Sequence, residues 1–168
     1  MKQAIAGVIP PGPKEVTVMT VWPSICVYPS GRFLGRLYNL QIGAYIFTLG
    51  NILALASIPH ALFLFIYRIL PYLGIRYCIT NSRIVVQRGL QVVDDKAVDL
   101  DRFDRIEVEV QSGQEWFKAG DLVFYNGSVE TFRLDGVSRP EAFRQTCMKS
   151  HLSFVGVQES LERETART

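Results

Sequence analysis

The feature that most constrains the fold of this chain is a long stretch without charge. Between Leu37 and Tyr67 there is no Asp, Glu, Lys or Arg, although charged residues make up 20% of the sequence. Beyond Arg68 the apolar run continues to Ile75. Because a membrane-spanning helix needs about 20 apolar residues, residues 37–75 are long enough for two short spans. We therefore predict a transmembrane helical hairpin over residues 37–74. Its helices are expected near 37–56 and 60–74.

Basic residues flank the predicted hairpin and are absent from its central turn. By the positive-inside rule, the segments that carry Lys and Arg face the cytoplasm. We expect a multi-pass protein of the cytoplasmic (inner) membrane with both termini in the cytoplasm. Cations near an anionic leaflet also attract lipid headgroups. The predicted membrane-surface contacts are Arg32, Arg36, Arg68, Arg76, Arg83 and Arg88.

Small residues in the hairpin permit close approach between helices, and the predicted packing positions are Gly43, Gly50 and Ala54. Two alternatives to the full hairpin stay open. One is a single tilted span followed by an interfacial helix, because Pro71 interrupts the second half. The other is a long helical hairpin outside any membrane, which the lack of a polar face disfavours.

The rest of the chain has the pattern of short β-strands. Residues 77–87 contain two β-branched runs around an Asn-Ser turn, which predicts a hairpin. Apolar residues alternate strictly over 106–110, as in a half-buried strand. The Asn-Gly pair at 126–127 lies between two further apolar runs and is a strong hairpin signal. Residues 16–22 also predict a strand, ahead of the membrane hairpin.

One amphipathic helix is predicted near the C-terminus. Residues 138–141 have the spacing of a capping box. Phe143, Cys147 and His151 recur every four residues and define one apolar face. The predicted organisation is an N-terminal cytoplasmic segment with a short strand, the transmembrane hairpin, a β-rich module and a polar tail, at 1–36, 37–74, 75–155 and 156–168.

Several of these motifs resemble a known family. Residues 77–89 are similar to the opening strands of the bacterial pleckstrin-homology-like (PH) domain, which has a Tyr-x-Leu-Thr-x-x-Arg-hydrophobic pattern that ends in glycine. Residues 98–108, 120–124 and 140–149 resemble its next segment, its Gly-Asp-hydrophobic strand and its closing helix. The chain departs from the family at 118–120, where members often carry a more glycine-rich turn.

The resemblance implies an α+β membrane protein in which the transmembrane hairpin precedes a PH-like bent β-sheet or barrel capped by a C-terminal helix. It implies no general catalytic activity. Eukaryotic PH domains bind phosphoinositides or protein segments, and the bacterial relatives are mostly membrane-associated modules.

No motif in the sequence points to catalysis or to a metal. The three cysteines lack CxxC spacing, and the two histidines have no acids or cysteines at ligand spacing. Neither a GxSxG nucleophile motif nor a phosphate-binding glycine loop occurs. A net charge of +2 without a basic stripe argues against a nucleic-acid partner. We expect a non-enzymatic protein without a cofactor, with a tetrapyrrole on His60 as a minority alternative.

Two functions fit these features. The first is a non-catalytic accessory or scaffold subunit of a larger integral membrane complex, photosynthetic or respiratory, whose partners are other membrane subunits and lipids. Trp116 and Phe117, between two predicted strands, would be its protein-interface anchors. Folding back into the core is the alternative for both side chains. The second function is a free-standing membrane-surface module that binds anionic lipid headgroups through the arginines.

Overall fold

The computed structural model describes residues 15–40, 42–44, 47–69, 74–89 and 93–166. The strands in these residues are β1 Thr17–Val21, β2 Gly43–Ala44, β3 Phe47–Thr48, β4 Ile75–Thr80, β5 Arg83–Arg88, β6 Val93–Asp99, β7 Arg105–Glu109, β8 Ala119–Asn126 and β9 Val129–Ser138. The helices are α1 Pro29–Tyr38, α2 Leu49–Ala56, α3 Ile58–Ile69 and α4 Pro140–Thr165. Short 3-10 helices, Ile25–Val27 and Glu115–Phe117, precede α1 and β8.

Two antiparallel sheets make up most of the β-structure. Sheet A has the strand order β1-β4-β5-β6, and sheet B has the order β7-β8-β9. The predicted hairpins around the Asn-Ser and Asn-Gly turns are present as β4-β5 and β8-β9. The predicted strand at 16–22 is present as β1, and Val21 pairs with Tyr77 of β4. The first strand of sheet A is therefore separated along the chain from the second by α1, α2 and α3.

The two sheets enclose one apolar core. Just after β1, Pro23 forms a bridge with Val137 of sheet B, and Ser24 N donates to Gly136 O at 2.8 Å. Alternate strand residues point inward, and the largest fully buried ones include Ile79, Ile84, Leu122, Phe124 and Leu134. α4 closes the core with the side chains of Phe143 and Cys147, both fully buried.

The start of α4 differs from the sequence expectation. The helix begins at Pro140. The first residue of a helix has no acceptor within the helix for its N–H, so proline costs no hydrogen bond there. Arg139 precedes it with a φ of 52°, and its N–H donates to Lys118 O at 3.2 Å. The predicted capping box is wrong, because Ser138 is the last residue of β9 and not the helix N-cap. At its other end α4 continues to Thr165, into the segment assigned to a polar tail.

The predicted transmembrane hairpin over 37–74 is wrong. Two short helices occupy most of this region, α2 with 8 residues and α3 with 12 residues. At 1.5 Å per residue they are about 12 Å and about 18 Å long, whereas the hydrocarbon core of a bilayer is about 30 Å thick. No single helix of the described residues is long and apolar enough to cross a membrane. By length and composition α2 and α3 would suffice together, but they are bent by 58° where they meet.

The break between α2 and α3 has a local cause. Pro59 has no N–H with which to continue the hydrogen-bond ladder of α2, and α2 ends at Ala56. The fold is therefore not that of a membrane protein built on a transmembrane hairpin. It is an α+β fold with two antiparallel sheets and a C-terminal helix.

A close backbone contact attaches α1 to the loop that precedes β8. A methyl group on Gly35 would lie 2.0 Å from Gly113 O, and one on Gly113 would lie 2.1 Å from Arg32 O. Nonbonded heavy atoms prefer separations of about 3.5–4.0 Å, so neither position has room for a side chain. Gly113 also has a φ of 95°, a conformation that other residues rarely adopt.

A buried carboxylate fixes the same loop on sheet B. Asp121 in β8 is 1% exposed and accepts hydrogen bonds from the side-chain amides of Gln111 and Gln114. It also accepts from Gly136 N at 2.8 Å. Gln114 is itself 1% exposed, and its amide oxygen accepts from Gln111 N at 2.8 Å. Hydrogen bonds to a charged acceptor are roughly twice as strong as neutral ones, so this network holds the loop 111–118 in one conformation.

Truncation of Phe143 tests whether α4 is part of the core. Phe143 is fully buried, and a Phe→Ala change in a core costs about 3–5 kcal/mol. We expect Phe143→Ala to lower the free energy of unfolding by that amount in urea denaturation. Leu152→Ala is the control on the same helix, since Leu152 is 64% exposed and should lose no more than about 0.5 kcal/mol. Equal losses would contradict the packing of α4 on the sheets.

Gly113→Ala tests the backbone contact with α1, and Gly127→Ala is its matched control. Both glycines have a positive φ, but a methyl group on Gly127 meets nothing within 4 Å. Gly127→Ala should lose about 1–2 kcal/mol of unfolding free energy through backbone strain alone. Gly113→Ala should lose more, because Arg32 O must also move. If urea denaturation gives the same loss for both, α1 does not rest on Gly113.

Candidate interaction site

An apolar surface projects from the segment between β1 and β4. Phe47 and the helices α2 and α3, here called the apolar arm, leave large side chains in contact with solvent. Phe47 is 80% exposed, Leu55 is 70% exposed and Phe63 is 61% exposed. Six further large apolar residues of the arm are at least 43% exposed: Leu49, Ile52, Ile58, Leu62, Phe65 and Ile66. Contiguous apolar surface of more than a few hundred Å² marks an interaction site.

One narrow stripe joins the arm to the rest of the protein. Leu64 is 6% exposed and packs in a cluster with Tyr38 of α1. The Tyr38 hydroxyl is hydrogen-bonded to the hydroxyl of Ser57, at the bend of the arm. Gly50 N donates to Leu40 O at 3.0 Å, and a methyl group on Gly50 would lie 2.4 Å from Tyr38 O. α1 therefore holds the arm at its small residue Gly50 and at Ser57 in its bend.

A cleft of about 390 Å³ lies where the arm meets α1 and the loop 111–118. Buried or partly buried side chains form its floor: Ile25, Tyr38, Ala54, Ala61 and Phe117. More exposed side chains form its rim: Ile58, Leu62, Phe65 and Trp116. Because all of these side chains are apolar or aromatic, the cleft is suited to an apolar ligand.

Trp116 and Phe117, the predicted interface anchors, lie in the 3-10 helix beside this cleft. Their ring centroids are 5.0 Å apart, and Trp116 meets Tyr38 edge-to-face at 4.7 Å. Trp116 is 47% exposed, whereas Phe117 packs on the cluster that contains Tyr38. Both side chains thus shape a wall of the cleft, away from the core between the sheets. Their contact with a partner protein stays a prediction.

The rest of the cleft lining was not identified from the sequence. Its residues are far apart along the chain, and Tyr38 and Ala61 carry no motif of their own. One signal was available: Gly50, Ala54, Ser57 and Ala61 recur at intervals of four, three and four. Such spacing places small side chains on one helix face. In the structure Gly50 and Ser57 contact Tyr38 at the end of α1, and Ala54 and Ala61 line the cleft beside this contact.

Two of the predicted helix-packing residues lie at that contact. Gly50 is buried against the end of α1, and Ala54 packs on the cluster around Tyr38. Gly43 instead lies in β2 with a φ of 132°, and a methyl group there would lie 2.4 Å from Phe47 O.

Two of the arginines predicted to face a membrane are paired with acids. Arg83 donates to both carboxylate oxygens of Glu15, at 2.7 and 2.9 Å, and lies 3.1 Å from Asp94. The hydrogen bonds from Arg83 lower the pKa of the Glu15 carboxyl. Arg88 lies 3.6 Å from Asp95. Much of the positive charge on β5 is therefore balanced by neighbouring acids.

The other predicted arginines lie on different elements. Arg32 and Arg36 of α1 donate to the loop 111–118, to a glutamine side chain at 2.8 Å and to a backbone carbonyl at 3.3 Å. Arg76 is in β4, and its buried Nε and Nη2 have no hydrogen-bond partner among the described residues. The side chain of Arg68 lies outside the described residues. Of the six predicted membrane-surface arginines, those whose side chains the structure describes are thus spread over α1, β4 and β5, and their contact with headgroups stays a prediction.

Most of the cysteine and histidine side chains of the described residues are buried or hydrogen-bonded. Cys26 and Cys147 are fully buried, and burial raises the pKa of both thiols. His151 Nδ1 lies 2.6 Å from Leu100 O, while His60 is exposed on the arm. Across the described ranges, no group of three His, Cys, Asp or Glu side chains is placed to hold a metal ion.

Comparison with known proteins identifies the family. Residues 33–153 match the family model of the bacterial PH domain. The match covers more than half of the chain and begins within α1, so it includes both helices of the apolar arm. Comparisons with curated proteins and with solved structures give no match. PH domains are generally non-catalytic interaction modules, and on this match the chain belongs to the bacterial PH domain family.

Proposed function

We propose that this PH domain protein is a non-catalytic interaction module that docks on a membrane through the apolar arm. The exposure of the arm is the observation that carries the proposal: Phe47, Leu55 and Phe63 are 80%, 70% and 61% exposed. Full burial of one such side chain contributes about 1.5–3 kcal/mol. Because the arm carries several such side chains, its transfer from water into an apolar environment is strongly favourable.

The breadth of the exposed surface favours lipid over a protein as the contact. Leu62, Phe63, Phe65 and Ile66 are 45–61% exposed. With 3.6 residues per turn, they cover roughly half of the circumference of α3. A helix that packs on protein usually does so through an apolar stripe about 100° wide, and α3 already packs on the cluster around Tyr38 through Leu64 and Ala61. A membrane surface, by contrast, can cover an exposed face of that width.

The dimensions of the arm fit shallow insertion. Helices that lie in a membrane interface bury their apolar side about 5–10 Å deep, and neither α2 nor α3 needs to cross the bilayer to do so. Aromatic side chains stand at the base of the arm: Trp116 is 47% exposed, and Tyr28 meets Tyr67 edge-to-face at 5.4 Å. Tyr and Trp are the residues enriched at membrane–water interfaces.

The family match supports a role without catalysis, because PH domains are generally non-catalytic interaction modules. The thiols of Cys26 and Cys147 are sealed in the protein, and the carboxylate of Asp121 is committed to the loop 111–118. None of these groups is placed to meet a substrate.

A second candidate is assembly of a larger membrane complex, in which the PH domain contacts another subunit. α4 supports it, since this helix extends beyond the family match to Thr165 and exposes Leu152 and Leu161, by 64% and 53%. Isolation of the native protein in mild detergent, followed by mass spectrometry, tests this role. A partner in fixed ratio is the expected result, and a protein that travels alone would contradict it.

Replacement of Leu55 by glutamate tests the docking surface. The full chain should float with vesicles of neutral phosphatidylcholine. Leu55→Glu should weaken binding at least about tenfold, because tenfold corresponds to about 1.4 kcal/mol and the lost leucine burial alone contributes about 1.5–3 kcal/mol. Val129→Glu is the matched control: Val129 is 63% exposed at the β8-β9 turn, at the opposite end of β8 from the loop 111–118. This variant should bind as the wild type does.

Salt separates apolar docking from headgroup recognition. At 1 M salt charges are screened beyond about 3 Å, so binding through the arm should persist there and should not require anionic lipid. Binding that depends on anionic lipid and disappears in salt would contradict the proposal. Equal losses for Leu55→Glu and Val129→Glu would contradict it as well.

A further inference from the structure

The cleft at the base of the apolar arm has an apolar and aromatic lining, which indicates a binding site for an apolar group. We propose that it holds one hydrocarbon chain of a membrane phospholipid, an inference that rests on the proposed docking of the arm. The floor of the cleft is formed by partly or fully buried side chains such as Tyr38, Ala61 and Phe117. Its volume of about 390 Å³ lies within the range of ligand pockets, about 300–1,000 Å³.

The apolar lining of the cleft suits a hydrocarbon chain better than an extended peptide segment. The hydroxyl of Tyr38 is already bonded to Ser57, and the walls contributed by α2 and α3 are helical, with backbone groups paired within the helices. A peptide segment carries an N–H and a C=O on nearly every residue, and these groups cost free energy when buried without partners. A hydrocarbon chain has no such groups.

The position of the cleft makes it continuous with the surface proposed to enter the bilayer. Its rim residues Leu62 and Phe65 are 55% and 45% exposed and belong to α3. A lipid chain can therefore pass from the bilayer along the arm into the cleft without crossing water. The small side chains of Ala54 and Ala61 leave the space that the chain would fill.

Photolabelling of the full chain tests the proposal. The protein is bound to vesicles of phosphatidylcholine whose acyl chains carry a diazirine, illuminated, digested and analysed by mass spectrometry. We expect labels on Leu55 and Phe63 of the arm and also on Tyr38 and Phe117 of the floor. Tyr38 is only 7% exposed, so a label on it has to come from within the cleft.

Two variants that fill the cleft provide the control. Ala61→Phe, and Ala54→Leu from α2 should the first variant fold poorly, leave the outer side of the arm unchanged. The label on Tyr38 and Phe117 should fall to background in either variant, while the label on Leu55 and Phe63 and the flotation with vesicles stay as in the wild type.

The outcomes separate the two proposals. A label on the arm without a label on the floor overturns the acyl-chain site, leaves membrane docking intact and makes the cleft a site for an apolar side chain of a partner protein. A floor label that survives Ala61→Phe and Ala54→Leu also overturns the site. The absence of any label on the arm overturns membrane docking itself.

Discussion

The contact between Gly35 of α1 and Gly113 of the loop 111–118 determines where the apolar arm sits. At this point two stretches of backbone touch, because a methyl group on either glycine would lie within 2.1 Å of a carbonyl oxygen. Asp121 of β8 fixes the loop on sheet B by accepting hydrogen bonds from the side-chain amides of Gln111 and Gln114. Since α1 carries the arm and the loop carries Trp116, this one contact also brings together the two walls of the cleft.

The chain divides its apolar residues between two uses. The core between the sheets takes up side chains such as Phe124 and Phe143, which are fully buried. The arm instead exposes large apolar side chains to solvent, and Leu55 is 70% exposed. An arm of this kind contributes to stability only when something apolar covers it. In the proposed function, a membrane would supply that apolar cover.

The sequence predicted the β-structure well, because strand alternation and turn residues are local signals. The hairpins β4-β5 and β8-β9 and the early strand β1 all follow from such patterns. The uncharged stretch between Leu37 and Tyr67 was misinterpreted, since its composition fits a membrane span while the break before Pro59 shortens the helices. Composition shows that a segment is apolar, but it does not show whether the segment crosses a bilayer.

The cleft was beyond sequence reasoning for a different reason. Its floor joins Ile25, Tyr38, Ala61 and Phe117, which meet only after α1 has packed on the loop. The start of α4 is a similar case. There the left-handed conformation of Arg139, supported by its hydrogen bond to Lys118 O, prevailed over the local capping signal at Ser138.

Spin labelling would test the central claim most directly. A nitroxide is attached at position 55 of the arm or, for comparison, at position 129 of the β8-β9 turn, and the full chain is bound to neutral vesicles. Membrane docking through the arm predicts that the label at 55 becomes accessible to oxygen, which dissolves in lipid, and loses access to a water-soluble nickel complex, while the label at 129 stays in water. Equal access of the nickel complex to both labels would contradict the account.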